Sequence, residues 1–456
     1  MTPRLGRKAV CGQSGLPLLV FSSACGHFVG MNMHVPPKDT PDALMLAMGA
    51  RARAAAKAVR EASAQTRSAA LSAMARHIRA AAPAIMAANH TDMARSAADG
   101  LSPSMLDRLK LDPARLEAMA AAVEDVAGQP DQLGEVMKDW TRPNGLHMQR
   151  VRIPIGVIGI IYESRPNVTA DAGALCLRSG NCVILRGGSD AFGSSTEITK
   201  ALRAGLKEAG LPEDAIQLVA TTDRAAVGAM LSGLDGAIDM IIPRGGKSLV
   251  GRVQAEARVP VLSHLEGICH TYIHTGADAA KAVSLTLNAK MRRTGVCGST
   301  ETLLIDAAVA QTLLPQIAEA LTAKGCELRG DAAAQAIVPM AAATEEDWRT
   351  EYLAPILSVA IVPGIEAAVA HIAHYGSGHT DCIVTEDPVA AERFLHEVDS
   401  AIVLVNASTQ YADGGEFGFG GEIGIGTGRL HARGPVGAEG LTTYKYVVRG
   451  SGQTRP

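Results

Sequence analysis

An α/β fold of two doubly wound domains with a small oligomerisation arm is the architecture that this 456-residue sequence predicts. From residue 155 onward, short and nearly continuous apolar runs bounded by Gly and Pro alternate with helical stretches. That is the pattern of strands buried on both faces of a parallel sheet. A composition that is 47% apolar supplies a core for more than one domain at this length. The turn Pro143-Asn144-Gly145 separates two runs able to pair as a hairpin, because Asn-Gly readily takes the positive φ of a tight turn.

Taken in order, Arg4, Arg7 and Lys8 precede a mildly apolar stretch at 15–30 that loosely imitates a signal peptide. The run is short and broken by Ser22, Ser23 and His27, so residues 1–32 are expected to be disordered or a mis-assigned extension, with the patterned chain opening near Met33. From Pro41 to about Ala98, apolar residues recur every three to four positions among Ala, Arg and Glu, which predicts amphipathic helices. Residues 131–154 are expected to form the hairpin arm. Strands are predicted at 155–162, 182–186, 215–220, 237–243 and 259–267, making 33–262 a nucleotide-binding domain. A second series at 271–274, 302–306, 356–362, 381–385 and 401–406 assigns 263–435 to a second α/β domain facing the first across a cleft. The stretch 412–435 is too dense in glycine for a helix or central strand and is expected to be a loop that bends or approaches a ligand closely. Residues 441–448 predict an edge strand within a C-terminal piece, 436–456, assigned to assembly.

The charge balance, 43 basic against 46 acidic residues, makes no single-sign field, which argues against nucleic acid or an anionic membrane as partner. A small metabolite is the expected ligand. Eight cysteines without a CxxC pair, or Cys/His spacing suited to zinc, predict no metal site and free thiols in a reducing, cytoplasmic compartment. No window reaches the ~20 apolar residues of a membrane-spanning helix.

Cys297 stands in a Gly-Val-Cys-Gly turn behind Lys290, Arg292 and Arg293. Cations lower a thiol pKa, and glycines free backbone N–H groups to face an oxyanion, so the turn suits a nucleophile. A small buried filler before a strand is the competing reading. Gly245, Gly246, Lys247 and Ser248 form a turn ahead of a helix whose amides would suit phosphate oxygens, although the P-loop spacing is absent.

Six blocks, at 151–195, 242–250, 264–274, 290–305, 375–383 and 418–446, together resemble the gamma-glutamyl phosphate reductase family, in sequence order and over nearly all of the chain from Met33. The resemblance implies the aldehyde dehydrogenase fold, in which a cofactor domain, a catalytic domain and an oligomerisation arm surround a cleft. It makes Cys297 the nucleophile and Asn167 an oxyanion donor. It places Arg186, followed by Gly187, Gly188 and Ser189, where a strand end grips the cofactor, and an arginine fork there favours NADPH over NADH. Glu351 matches a glutamate that contacts the nicotinamide ribose, while His264 stands where hydrolytic relatives carry a water-activating glutamate. His379 and Asp381 are candidates for the amino-acid end of the substrate, and Arg429, His431 and Arg433 for a lid or phosphate grip. A domain contact is the alternative for the last three.

The implied reaction is NADPH-dependent reduction of L-glutamyl 5-phosphate to glutamate 5-semialdehyde through a cysteine thioester, in proline biosynthesis. A glutamate 5-kinase is the implied partner, and a homo-oligomer the implied assembly. Another aldehyde or acyl dehydrogenase of this fold, or a non-catalytic scaffold, are the alternatives.

Overall fold

A computed structural model describes residues 41–455, so the expectation for 1–32 lies outside the described residues. The predicted N-terminal helical layer is present as helices Pro41–Glu61, Ala64–Ala80 and Ala82–Ala98. Ser63 caps the second by accepting the Thr66 N–H at 3.0 Å. The buried Arg67 in that helix reaches Asp131 at 2.6 Å, tying the layer to the root of the arm.

Strands β1 (Val136–Thr141) and β2 (His147–Pro154) form the predicted antiparallel hairpin around Asn144-Gly145, with Gly145 at φ 85°. Four parallel strands follow: β3 (Val157–Tyr162), β4 (Cys182–Arg186), β5 (Ile216–Leu218) and β6 (Met240–Arg244), in spatial order β5-β4-β3-β6. Every residue of β3 is buried, as a strand covered by helices on both faces must be.

The strand expected at 259–267 does not form. Pro260 has no N–H to donate, and only one bridge joins this stretch to β6, through Ile241 N–H to Pro260 O and Leu262 N–H to Ile241 O. The chain then leaves the sheet and carries His264 and Gly267 to the next domain.

That domain is a seven-stranded parallel sheet. Its strands are β7 (Cys269–Ile273), β8 (Thr300–Asp306), β9 (Glu327–Gly330), β10 (Ala341–Ala342), β11 (Ile356–Val362), β12 (Thr380–Val384) and β13 (Ile402–Val405). The order is β10-β9-β11-β8-β7-β12-β13. β9 and β10 are not predicted by the sequence because they are short and carry no apolar run. The glycine-dense stretch is a loop, as expected, pinned by two-residue strands β14 (Ile425–Gly426) and β15 (Gly434–Pro435). β16 (Thr442–Arg449) then returns to pair with β2, completing a three-stranded arm sheet, order β1-β2-β16. Among the described residues no helix is long and apolar enough to cross a membrane.

Asn181 joins the arm to the four-stranded-sheet domain: its amide donates to Leu441 O at 2.8 Å, and its oxygen accepts the Gly156 N–H at 2.7 Å. Asn181→Ala leaves these buried groups unpaired and is expected to lower unfolding stability by roughly 2–4 kcal/mol, read by urea melts.

Candidate active site

β8, β7 and β12 are neighbours at the centre of their sheet, and they begin level, with Cys269 opposite Thr300 and His270 opposite Asp381. The residues just before each strand therefore meet. Gly267 precedes β7, Cys297 precedes β8 and His379 precedes β12, and His264 arrives on the loop from the first domain.

One ring nitrogen each of His264 and His379 lies with Cys297 Sγ inside a 4.8 Å group. Each histidine is held from behind. His264 Nδ1 donates to Ile425 O at 2.7 Å, and His379 Nδ1 meets Thr380 Oγ1 at 2.8 Å, while the buried His379 Nε2 has no hydrogen-bond partner. Fixing the outer nitrogen of an imidazole sets which inner nitrogen faces the site.

The Cys297 backbone is gripped as well. Its carbonyl accepts from Cys269 Sγ at 3.1 Å, and Arg108 binds Gly295 O at 3.1 Å. A Cβ on Gly267 would lie 2.1 Å from Cys297 O, so only glycine allows this approach. Beneath the turn, the fully buried Lys290 and Glu301 form an ion pair, in which burial raises the Glu301 carboxyl to about 7 despite the lysine.

Burial by itself would raise the Cys297 pKa; the adjacent His379 and His264 outweigh it and hold the thiol well below its ordinary value. Burial tends to lower the His264 pKa, but the thiolate raises it overall. The partly exposed Cys297 thus differs from the other described cysteines, all buried. Burial pushes the Cys326 thiol up to about 11 and those of Cys182 and Cys382 to about 12, and it also raises those of Cys176 and Cys269.

Around this centre, Glu351 accepts the Gly267 N–H at 3.0 Å, and its carboxyl is raised by burial and by the Cys297 charge. Burial first, then the charges of Arg244, Arg108 and Arg293, bring Arg165 down to about 10, while Cys297 works the other way. These four arginines make an anion-attracting wall beside the thiol. Only Arg293 had been singled out in the sequence, because the other three lie far from Cys297 along the chain. Gly424 leaves room for Arg244, whose Nη1 would be 3.4 Å from a Cβ there.

The remaining candidates divide. Asn167 opens helix Asn167–Arg178 and donates one amide N–H to Asp171 at 3.0 Å, which leaves its second N–H for an oxyanion. Arg186, Gly187, Gly188 and Ser189 lie at the carboxyl end of β4, where Arg186 spans Gly187 O at 3.1 Å and Thr222 O at 3.0 Å. The Gly245-Gly246 turn follows β6, but its free crook is filled: Glu163 accepts the Gly246 N–H at 3.4 Å, and Lys247 pairs with Glu266 at 2.8 Å. The phosphate reading of this turn requires those partners to move.

Asp381 is turned inward. His270 Nδ1 and backbone N–H hold one oxygen at 2.8 and 2.9 Å, Ser400 holds the other, and the side chain is fully buried. His379, expected at the substrate, sits instead against the thiol. Arg429 and Arg433 both pair with Asp399, and His431 donates to Gly440 O at 2.5 Å, so each of these three candidates is engaged by a protein partner.

The aldehyde dehydrogenase family profile matches residues 33–347 and 327–447. The chain is 65% identical over 422 residues to gamma-glutamyl phosphate reductase of Hyphomonas neptunium, covering 92% of this chain and 99% of that protein. It is 66% identical over 413 residues to that of Caulobacter vibrioides, covering 90% and 100%. The crystal structure of gamma-glutamyl phosphate reductase from Thermotoga maritima superposes with a TM-score of 0.88 at 43% identity, over 90% of this chain and all 100% of that one.

Two outcomes follow from the geometry. Iodoacetamide alkylation of Cys297 should titrate with a midpoint well below the ~8.5 of a free thiol, and His379→Leu should move it upward. Gly267→Ala, which drives a Cβ into the Cys297 carbonyl, should slow that alkylation by about tenfold or more while the circular dichroism spectrum stays folded.

Proposed function

The chain belongs to the aldehyde dehydrogenase family, in its gamma-glutamyl phosphate reductase branch, and on that premise we propose that it reduces L-glutamyl 5-phosphate to L-glutamate 5-semialdehyde with NADPH. The observation that carries the mechanism is the partly exposed Cys297 thiol between His264 and His379, whose placement favours the thiolate. The thiolate attacks the acyl carbon, the tetrahedral oxyanion is held by the free Asn167 N–H and backbone amides, and phosphate leaves to give a thioester. Arg165 with its arginine neighbours offers charge to the departing phosphate.

Arg186, Gly187 and Gly188 suit the nucleotide: a strand's carboxyl end, a guanidinium for a ribose phosphate, and a glycine whose Cβ would stand 2.1 Å from Asp190. When bound, the nicotinamide supplies a hydride to the acyl carbon. The resulting thiohemiacetal then expels the Cys297 thiolate and releases the aldehyde. His264, where a water-activating carboxylate would stand, has Nδ1–H spent on Ile425 O and its other nitrogen beside the thiol.

The arm supports assembly with further copies, since Tyr444, Tyr446 and Val448 of β16 are exposed at 45%, 56% and 49%. A glutamate 5-kinase is the partner that would supply the labile acyl phosphate.

The test runs the reaction backwards, because the forward substrate is unstable. Reduction of NADP+ by glutamate 5-semialdehyde should require phosphate and vanish in Cys297→Ala; turnover without phosphate would mean a hydrolytic dehydrogenase instead. Arg165→Met should raise KM for phosphate by roughly tenfold to a hundredfold, the worth of one or two charge-assisted hydrogen bonds.

A further inference from the structure

We propose that His264, Cys297 and His379 form a three-ligand site for a soft divalent ion such as Zn2+, and that occupancy switches the thiol off reversibly. This goes beyond the reaction proposed above, although it draws on the same three side chains. The donor set is a thiolate and two imidazoles, drawn from three separate chain segments into one 4.8 Å group. A tetrahedral zinc with bonds of about 2.0–2.3 Å sets its ligand atoms about 3.3–3.6 Å apart, so side-chain rotations of about 1 Å close the group.

Two observations beyond the cluster itself point to an ion. The His379 Nε2 is buried and has no hydrogen-bond partner. Both imidazoles also carry the outer support that metal-bound histidines need, His264 from the Ile425 carbonyl and His379 from the Thr380 hydroxyl. With three protein ligands and a partly exposed thiol, the fourth position is open to water or to an incoming substrate oxygen.

Electrostatics set the choice of ion. The carboxylates of Glu351 and Glu422 face the thiol, but so does the guanidinium of Arg165, with Arg244 behind it. Hard cations held by charge alone gain little against those arginines. An ion that bonds covalently to sulfur and imidazole does not depend on that balance, so Zn2+, Cd2+ and Co2+ should bind and Mg2+ should not.

Co2+ reports the site directly. Titrated anaerobically into the full-length protein, it should give a saturable near-ultraviolet thiolate-to-cobalt band with intense visible bands of a four-coordinate ion, displaced by Zn2+ and untouched by Mg2+. The thiolate band should vanish in Cys297→Ser. His264→Gln and His379→Gln should each weaken Co2+ binding by roughly tenfold or more, since even losing an outer partner of a ligand costs about 10–100-fold. Zn2+ should likewise shield Cys297 from iodoacetamide and be reversed by chelator. A thiolate band that persists in Cys297→Ser, affinities unchanged in both histidine variants, or no thiolate band in the parent protein would each overturn the assignment. Because a misfolded variant would also lose the band, each variant's thermal unfolding is compared with the parent's.

Discussion

β8, β7 and β12 lie side by side in one parallel sheet, and their shared starting line is the constraint on which the reactive centre depends. Parallel strands are held in register by a continuous ladder, so the segments entering them cannot slide apart. Here that ladder delivers Gly267, Cys297 and His379 to one place. The absence of a side chain at Gly267 lets the two entering segments touch, and the Cys269 thiol donates across the same gap to the Cys297 carbonyl. The buried Lys290–Glu301 pair anchors the other side of the turn, where loss of one partner would leave a buried charge uncompensated.

Two opposing effects meet at the thiol. Burial disfavours the thiolate, as it does at every other described cysteine, and at Cys297 alone it is beaten by two imidazoles placed against the sulfur. The buried setting strengthens each of those interactions, because charges act over a lower dielectric. The acids that face the centre, Glu351 and Glu422, have their carboxyl pKa values raised by burial, which limits how much they oppose the thiolate.

The two sheets are used at opposite ends. In the four-stranded sheet the candidate cofactor residues sit past the carboxyl ends of β4 and β6, the usual place for a nucleotide in an open α/β sheet. In the seven-stranded sheet the candidate thiol site sits before the amino ends of β7, β8 and β12. The loop from β6 to β7 joins these two edges, and its escape from the sheet after Pro260 is what frees His264 to reach the thiol.

Local pattern determined much of this from the sequence by itself: the buried strands β3, β4 and β8, the Asn144-Gly145 hairpin, the glycine-rich loop and the Gly-Val-Cys-Gly turn around Cys297 all follow from residue types within a few positions of one another. The family was legible too, because its blocks are contiguous. Only the tertiary structure decided what depends on distance between segments. It set His264 and His379 against Cys297, assembled Arg165, Arg244 and Arg108 beside Arg293, and turned Asp381 inward to His270. It also gave Arg429 and Arg433 to Asp399. A charged side chain reads the same in sequence whether it faces substrate or a buried partner. The difference lies in which strand starts beside which, and that is a property of the sheet.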